Sequence, residues 1–573
     1  MQTFNYPQFA NAMTNYLLPW LALTAQLPYE TGDPWANLIA FCLAVGSPAL
    51  ITYSLTLTIL NRSWARKCFS GLRSRAARGS VSERAPHFDK KVSAIQFFVQ
   101  ESQQTPIRTN FERNWLASLI VLPENIIWWK DVQKRLKGTR RGFSPSLIAQ
   151  MGLAVIAYGL TVVAALATNL GDPNTALQLA SGCLWVWLIP VITGWVMAGS
   201  QVSGHAIYDA LHQGNPAWRT KEHPRSVSVK APNQLNAIGD DDARVETGEQ
   251  SGIECGGGPD ARLRSGFQGW CGFSVGGDEE ITGPTYNYAR LFTWWKVTAV
   301  LRDTISTALD NVSSGEVSHS LLLDSDGVAT ACGLDRGASA KHYLEWREMP
   351  AQVWRHVLSA AVAAIFVQWG TAGDSIMTAY MTPTTGLGCR SGSYLLYASA
   401  STLAWLLLVA GMLCSHEAML RHQKSSNAPA HVSDGASEEL GDRPELNELP
   451  YDNFGPGQSA SEKPRSVARK SSPTSFRVAA VILRLLGKTL CILNTVWLLL
   501  TSIMELVGRF DNCWCQGVYP TRGAGGYVVL FKTAKDLAQT ASVYWGAGLA
   551  MTIVVVLLAV FFFALGMWDP DTD

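Results

Sequence analysis

Three stretches of this chain place chemically capable residues at spacings used by known catalytic or binding motifs. Gly272-Phe273-Ser274-Val275-Gly276 has the G-x-S-x-G spacing of a nucleophile elbow, with Asp326 and His342 downstream as partners for a serine. An elbow lifts its serine out of a strained turn between an apolar core strand and a helix. Both flanks here are Gly-rich and polar, so a hydrolase is disfavoured. His416-Glu417 followed by His422 resembles a zinc-protease pair, but two ligands on one helix must stand at i and i+4 to meet one ion. The spacing here turns the two rings to different faces. Gly386-Leu387-Gly388-Cys389-Arg390-Ser391-Gly392 lacks the lysine and the preceding strand of a phosphate-cradling loop. The sequence calls for no metal and no organic cofactor, and the expectation is that the chain is not an enzyme.

Any chemistry would have to be positioned by apolar helices. The 573 residues are 47% hydrophobic and 16% charged, figures that average uncharged apolar stretches with polar ones rich in Ser, Gly and Arg. The 21 tryptophans suit a protein with two membrane interfaces to anchor. A net charge of +1 argues against a nucleic-acid partner. A helix crossing the hydrocarbon core needs about 20 apolar residues. Seven stretches qualify: Trp35 to Leu60, Ser146 to Asn169, Ala176 to Gly199, Ala351 to Gly373, Tyr394 to Cys414, Val481 to Val507 and Val543 to Met567. The second and third form a hairpin through Gly171-Asp172-Pro173-Asn174, and Pro48 and Pro190 should kink the first and third. The expected fold class is all-α: a polytopic transmembrane helix bundle of about seven spans with long, partly disordered cytosolic loops. The short apolar pieces Tyr16 to Leu27 and Trp115 to Leu122 fit interfacial or re-entrant segments. Small residues four apart, Ser359/Ala363, Ala360/Ala364, Ala400/Ala404 and Gly546/Ala550, mark close helix approaches.

Charge sets the orientation. No Lys or Arg precedes Arg62, so the first span is expected to be an uncleaved anchor, and Arg62, Arg66, Lys67, Arg73, Arg75 and Arg78 follow it at once. The positive-inside bias puts the tail 1–34 outside and 61–145 in the cytosol. Threading onward places 200–350 (largely disordered), 416–476 (a disordered linker before a sixth span beginning near 477) and the tail 568–573 inside, with 374–392 and 508–542 outside. Arg509, Arg522, Lys532 and Lys535 make the 508–542 loop the weakest point of that threading. Cys389, Cys513 and Cys515 then share the oxidising side, where Cys389 could pair with one of the other two; free thiols throughout are the equal alternative.

Trp128 and Trp129, followed by Lys130, Lys134, Arg135, Lys137, Arg140 and Arg141, have the composition of an interfacial helix on an anionic leaflet, although the same charges also serve simply to fix topology. Phe88 to Gln104 can place Val92, Ile95 and Val99 on one helical stripe. Residues 216–284 and 423–475 have too little to bury and read as disordered segments, suited to cytosolic protein partners. Within the spans the polar residues are Gln150, Gln368 and Asn494, with Arg484 and Glu505 near opposite ends of the sixth. Interhelical hydrogen bonding is their ordinary role, and a substrate path the less common one.

PWLALTAQLPYETGD, LAVGSPALITYSLTLTILNRSWARK, SLIVLPENIIWW and LWVWLIPVITGW together resemble an uncharacterised family of multi-pass membrane proteins of filamentous ascomycete fungi. The likeness covers roughly the first 200 residues and implies a fungal source and a many-helix membrane fold; it brings no activity. The expected role is a non-enzymatic scaffold, signalling or lipid-contacting component of the plasma membrane or an endomembrane. A channel or facilitator is the alternative, and a membrane-embedded enzyme a remote third.

Overall fold

Pro48 has no amide hydrogen and its ring crowds the carbonyl four residues back, so a helix through it must bend or break. In the computed structural model of the protein it breaks. The structure describes residues 13, 17–27, 34–105, 107–111, 114–140, 142–167, 170–199, 204–214, 216–218, 273–275, 286–317, 321–334, 343–382, 387–426, 474–506 and 534–568. The helices, in chain order, are α1 (Leu18–Thr24), α2 (Pro34–Gly46), α3 (Pro48–Ala76), α4 (Gly79–Arg84), α5 (Phe88–Glu101), α6 (Trp115–Val121), α7 (Asn125–Gly138), α8 (Pro145–Ala167), α9 (Pro173–Cys183), α10 (Leu188–Ala198), α11 (Gly204–His212), α12 (Leu291–Ser314), α13 (Ser325–Ala331), α14 (Ala351–Met381), α15 (Cys389–Ser426), α16 (Thr474–Leu506) and α17 (Ala534–Met567). The described strands, β1 (Ile107–Thr109) and β2 (Phe273–Val275), pair antiparallel with Arg108 opposite Ser274.

The chain is mostly helical, and five helical stretches are long and apolar enough to cross a membrane: Pro145–Ala167, Thr175–Ala198, Ala351–Tyr380, Arg390–Ser425 and Ala541–Met567. The first expected span is instead a bent pair, with α2 and α3 meeting at 100°. Ser47 makes the corner by accepting the Leu50 amide with its hydroxyl, and Pro48 occupies the first position of α3, where no amide partner is needed. The third, Thr175–Ala198, keeps its course, but its α-helical pattern is interrupted by a turn at 184–187 between α9 and α10, where the ring of Pro190 crowds the carbonyl of Val186. α14 runs past Gly373 to Met381, taking Asp374 into the helix. α15 runs on to Ser426, and α17 begins at Ala534 rather than near Val543.

α3 is the hub. Every residue from Pro48 to Ile59 is buried, packed by α14, α15, α17 and α10 of the bundle and by α5 and α12 from the other side. The described parts of 61–145 and 200–350, expected as separate cytosolic segments and the second as largely disordered, thus join in one helical unit. α5 buries the expected stripe Val92, Ile95 and Val99, and α12 buries Trp294, Trp295, Leu301 and Ile305. The unit is cross-tied by the Trp294 indole, which donates to Val99 O at 2.8 Å, and by Arg75 paired with Asp310. The remainder of the stretches expected to be disordered lies outside the described residues.

Within this unit Lys91 is fully buried, its ammonium donating to Ile120 O at 2.8 Å and Leu122 O at 2.7 Å at the C-terminal end of α6. Burial pulls its pKa down to about 7, against the opposing charge of the Glu124 carboxylate. Below about 7 both folded and unfolded chains hold the proton. Between 7 and the ordinary value of 10.5 only the unfolded chain does, so stability rises with pH across that window. The thermal midpoint of the detergent-solubilised protein is expected to climb between pH 7 and pH 9 more steeply than that of Lys91→Met. Parallel profiles for the two proteins would rule the assignment out.

Candidate functional site: a buried polar junction and a capped helix break

Six consecutive polar residues, Gln100-Glu101-Ser102-Gln103-Gln104-Thr105, are all buried where the helical unit meets the bundle. Such a run is costly unless its groups are paired. Glu101, 0% exposed, accepts from Arg62 Nη1 of α3 at 2.9 Å and lies 3.5 Å from Arg140 Nε at the end of α7. The same two arginines cap the last turn of α10: Arg62 donates to Ala198 O at 2.9 Å, and Arg140 to Ala198 O at 3.0 Å and Gly199 O at 3.2 Å. Two cations at a helix C-terminus complement its dipole. Gly199 closes that helix in the left-handed conformation at φ 58°, and a Cβ there would run into the Arg140 guanidinium. Burial pulls the Arg140 pKa down, Glu101 works against this, and Arg62 adds to it. Gln103 Nε2 donates to Thr58 O at 3.1 Å, fastening the turn that follows α5 to α3. From the bundle side, Asn61 Oδ1 is 2.9 Å from His356 Nδ1, and Gln352 Nε2 is 2.7 Å from His356 Nε2. A neutral ring with its proton on Nδ1 satisfies both contacts.

The second polar cluster sits at the Ser47 corner. Ending a helix there frees carbonyls, and side chains of α15 and α16 take them: Tyr397 OH donates to Val45 O at 2.7 Å, Asn494 Nδ2 to Gly46 O at 2.7 Å, and Thr495 Oγ1 to Cys42 O at 2.8 Å. Ser47 Oγ donates to Ser401 O, and Ser401 Oγ to Gln368 Oε1 at 3.1 Å. Two of the expected intramembrane polar residues, Gln368 and Asn494, therefore converge on the break. The others scatter. Gln150 accepts from Gln26, Arg484 donates to Ser415 Oγ, and Glu505 accepts from Tyr394 OH at 2.6 Å. Asp374, expected in the outer 374–392 loop, is a third buried carboxyl beside Glu101 and Glu505; it accepts from Cys183 Sγ and from Thr378 Oγ1. Gly548 and Gly566 rather than Gly546 are the close-packed glycines of α17, since a Cβ at Gly548 would strike Asp374 and one at Gly566 would strike Ile59, while one at Gly546 would meet nothing.

The tryptophan pair expected at a lipid surface is inside the protein. Trp129 is fully buried and donates to Leu119 O at 3.0 Å, while Trp128 is buried against Trp129 and Gly214. The reason is α11, which covers that face of α7 and accepts from Arg135 through Ala210 O. Of the basic run, Arg135 and Arg140 serve such internal contacts, Lys130, Lys134 and Lys137 remain exposed, and Arg141 lies outside the described residues. Cys513, Cys515 and the side chain of Cys389 also lie outside them, as do Gly272, Gly276 and His342. His416 packs between Phe292 and Trp346, and Glu417 holds the Trp346 indole and Arg421. No group of His, Cys, Asp and Glu suited to a metal occurs among the described residues.

Comparison with known proteins finds no matching family model, no curated protein and no solved structure.

Proposed function

We propose that the chain is a non-enzymatic integral membrane protein in which a bundle of seven spans holds a cytosolic helical unit rigidly against its inner face, as a scaffold or signalling component would. The seven are the five long apolar helices, the bent α2–α3 pair, and α16, which lies alongside α15 and presents Val481, Leu485, Leu493, Val496 and Ile503 outward. The observation that carries the proposal is the Arg62–Glu101–Arg140 junction, which ties three segments of the helical unit to α10 of the bundle through buried charge. The channel alternative is weakened by the Ser47 corner, where the polar groups are spent on backbone carbonyls and do not line an opening.

The basic stretch 62–78 makes this unit cytosolic under the positive-inside rule. Support for a single outer end comes from Tyr394 meeting Glu505 and from Asp374 meeting Gly548, which bring the C-terminal parts of α14 and α16 and the N-terminal parts of α15 and α17 to the same end of the bundle. Glycosylation acceptors introduced into 507–533 are expected to be modified and those in 427–473 left bare. Modification of the second set, or its absence from the first, would overturn the seven-span reading. Reconstituted vesicles are expected to pass no ions or small solutes, and measurable flux would favour the channel.

A further inference from the structure

We propose that a groove between α14 and α17 holds one glycerophospholipid, with an acyl chain along the groove and the phosphate on Arg355; this rests on the membrane reading above. The groove, open to the outside along its length, offers about 580 Å³. Its floor is made by the small residues Ser359, Ala363 and Ala559, and its walls by Phe366, Phe562 and Leu565. The two helices run antiparallel, Gly370 against Val555 and Asp374 against Gly548. Arg355 stands on the α14 stripe that continues through Ser359, Val362 and Phe366, one turn before the groove begins. On α17 the corresponding stripe continues from Leu565 to Trp568, whose carbonyl accepts from Arg66 at 2.8 Å. Both stripes therefore finish at the basic end of the bundle. The exposed Arg355 thus shares that end with the exposed Trp354 and Trp568, the residue types that sit at headgroup level.

Dimensions separate a lipid chain from a second copy of a helix. The groove follows α14 from Leu358 to Val367, a rise of roughly 14 Å, which leaves a cross-section of about 40 Å². A helix with its side chains is about 10–12 Å across, or roughly 80–110 Å² in section, so a second copy could put only a ridge of side chains into the groove and not its body. An extended hydrocarbon chain does, and a guanidinium at its end matches a phosphodiester through paired N–H donors.

The test is native mass spectrometry of the full-length protein purified from membranes in a mild detergent. Wild type is expected to retain one phospholipid per chain. Ala363→Trp, which fills the floor, should reduce the retained fraction at least tenfold, and Arg355→Gln several-fold. Ala363→Leu serves as a milder filling variant should the tryptophan disturb folding, and gel-filtration profiles matching wild type establish that the variants are folded. Absence of lipid from wild type, or equal retention in the filling variants, overturns the proposal. So does a retained lipid without phosphate that ignores Arg355→Gln, or a wild-type dimer that the filling variants split. Recovery of the protein in the soluble fraction would instead sink the membrane reading itself.

Discussion

Glu101→Ala is expected to lower the stability of the protein by about 3–5 kcal/mol, the usual cost of removing one partner from a buried ion pair. The loss comes less from the missing attraction than from what remains. Arg62, only 6% exposed at its side chain, would keep Ala198 O as an acceptor but no counter-charge, and Arg140 would face it across the emptied site. Thermal unfolding in detergent, followed by tryptophan fluorescence, measures the shift. The double variant Arg62→Met with Glu101→Leu distinguishes a charge effect from a packing one. An apolar pair of similar volume removes both desolvation costs, so the double variant should be markedly more stable than Glu101→Ala alone. A single variant within about 1 kcal/mol of wild type would mean that water reaches the junction and that it does not hold the helical unit to the bundle.

The same junction explains what could and could not be read from the sequence. Long uncharged stretches such as Ser146 to Asn169 and Val543 to Met567 announce themselves, because little else keeps six turns of helix free of charge. The α5 stripe was equally legible, since Val92, Ile95 and Val99 recur at helical spacing. Arg62 was legible only as a positive charge after a span. Its second task, neutralising Glu101 across 39 residues of chain, has no local signal. The polar end of the α5 stretch, Gln100 to Gln104, gave no sign of burial for the same reason: Gln103 finds its acceptor, Thr58 O, on a helix 45 residues away. The tryptophan pair failed differently. Trp128 and Trp129 beside lysines have one composition for two environments, and the deciding element, α11, lies some 75 residues further along the chain. Pro48 signalled a break, but its 100° angle is set by Tyr397, Asn494 and Thr495 waiting on distant helices.

Gly46→Ala puts that corner to the test, and the expected result runs against helix propensity. Alanine is favoured over glycine inside a helix by about 0.5–1 kcal/mol. At Gly46, however, an added Cβ would penetrate the carbonyl oxygen of Cys491 and stand 2.7 Å from Thr495 Oγ1. A backbone oxygen inside a helix cannot swing aside as a side chain can, so α2 must move off α16. Overpacking of this kind costs about 1–3 kcal/mol or more. The displacement also stretches the bonds from Asn494 to Gly46 O and from Thr495 to Cys42 O, each worth on the order of 1 kcal/mol. The clash should therefore outweigh the propensity gain by several kcal/mol. Gly71→Ala is the matched control: it lies within α3, is exposed, and a Cβ there meets nothing within 4 Å. The thermal midpoint should rise slightly for Gly71→Ala and fall steeply for Gly46→Ala. Equal behaviour of the two would mean that α2 does not cross α16 at this distance and that Pro48 bends a continuous helix.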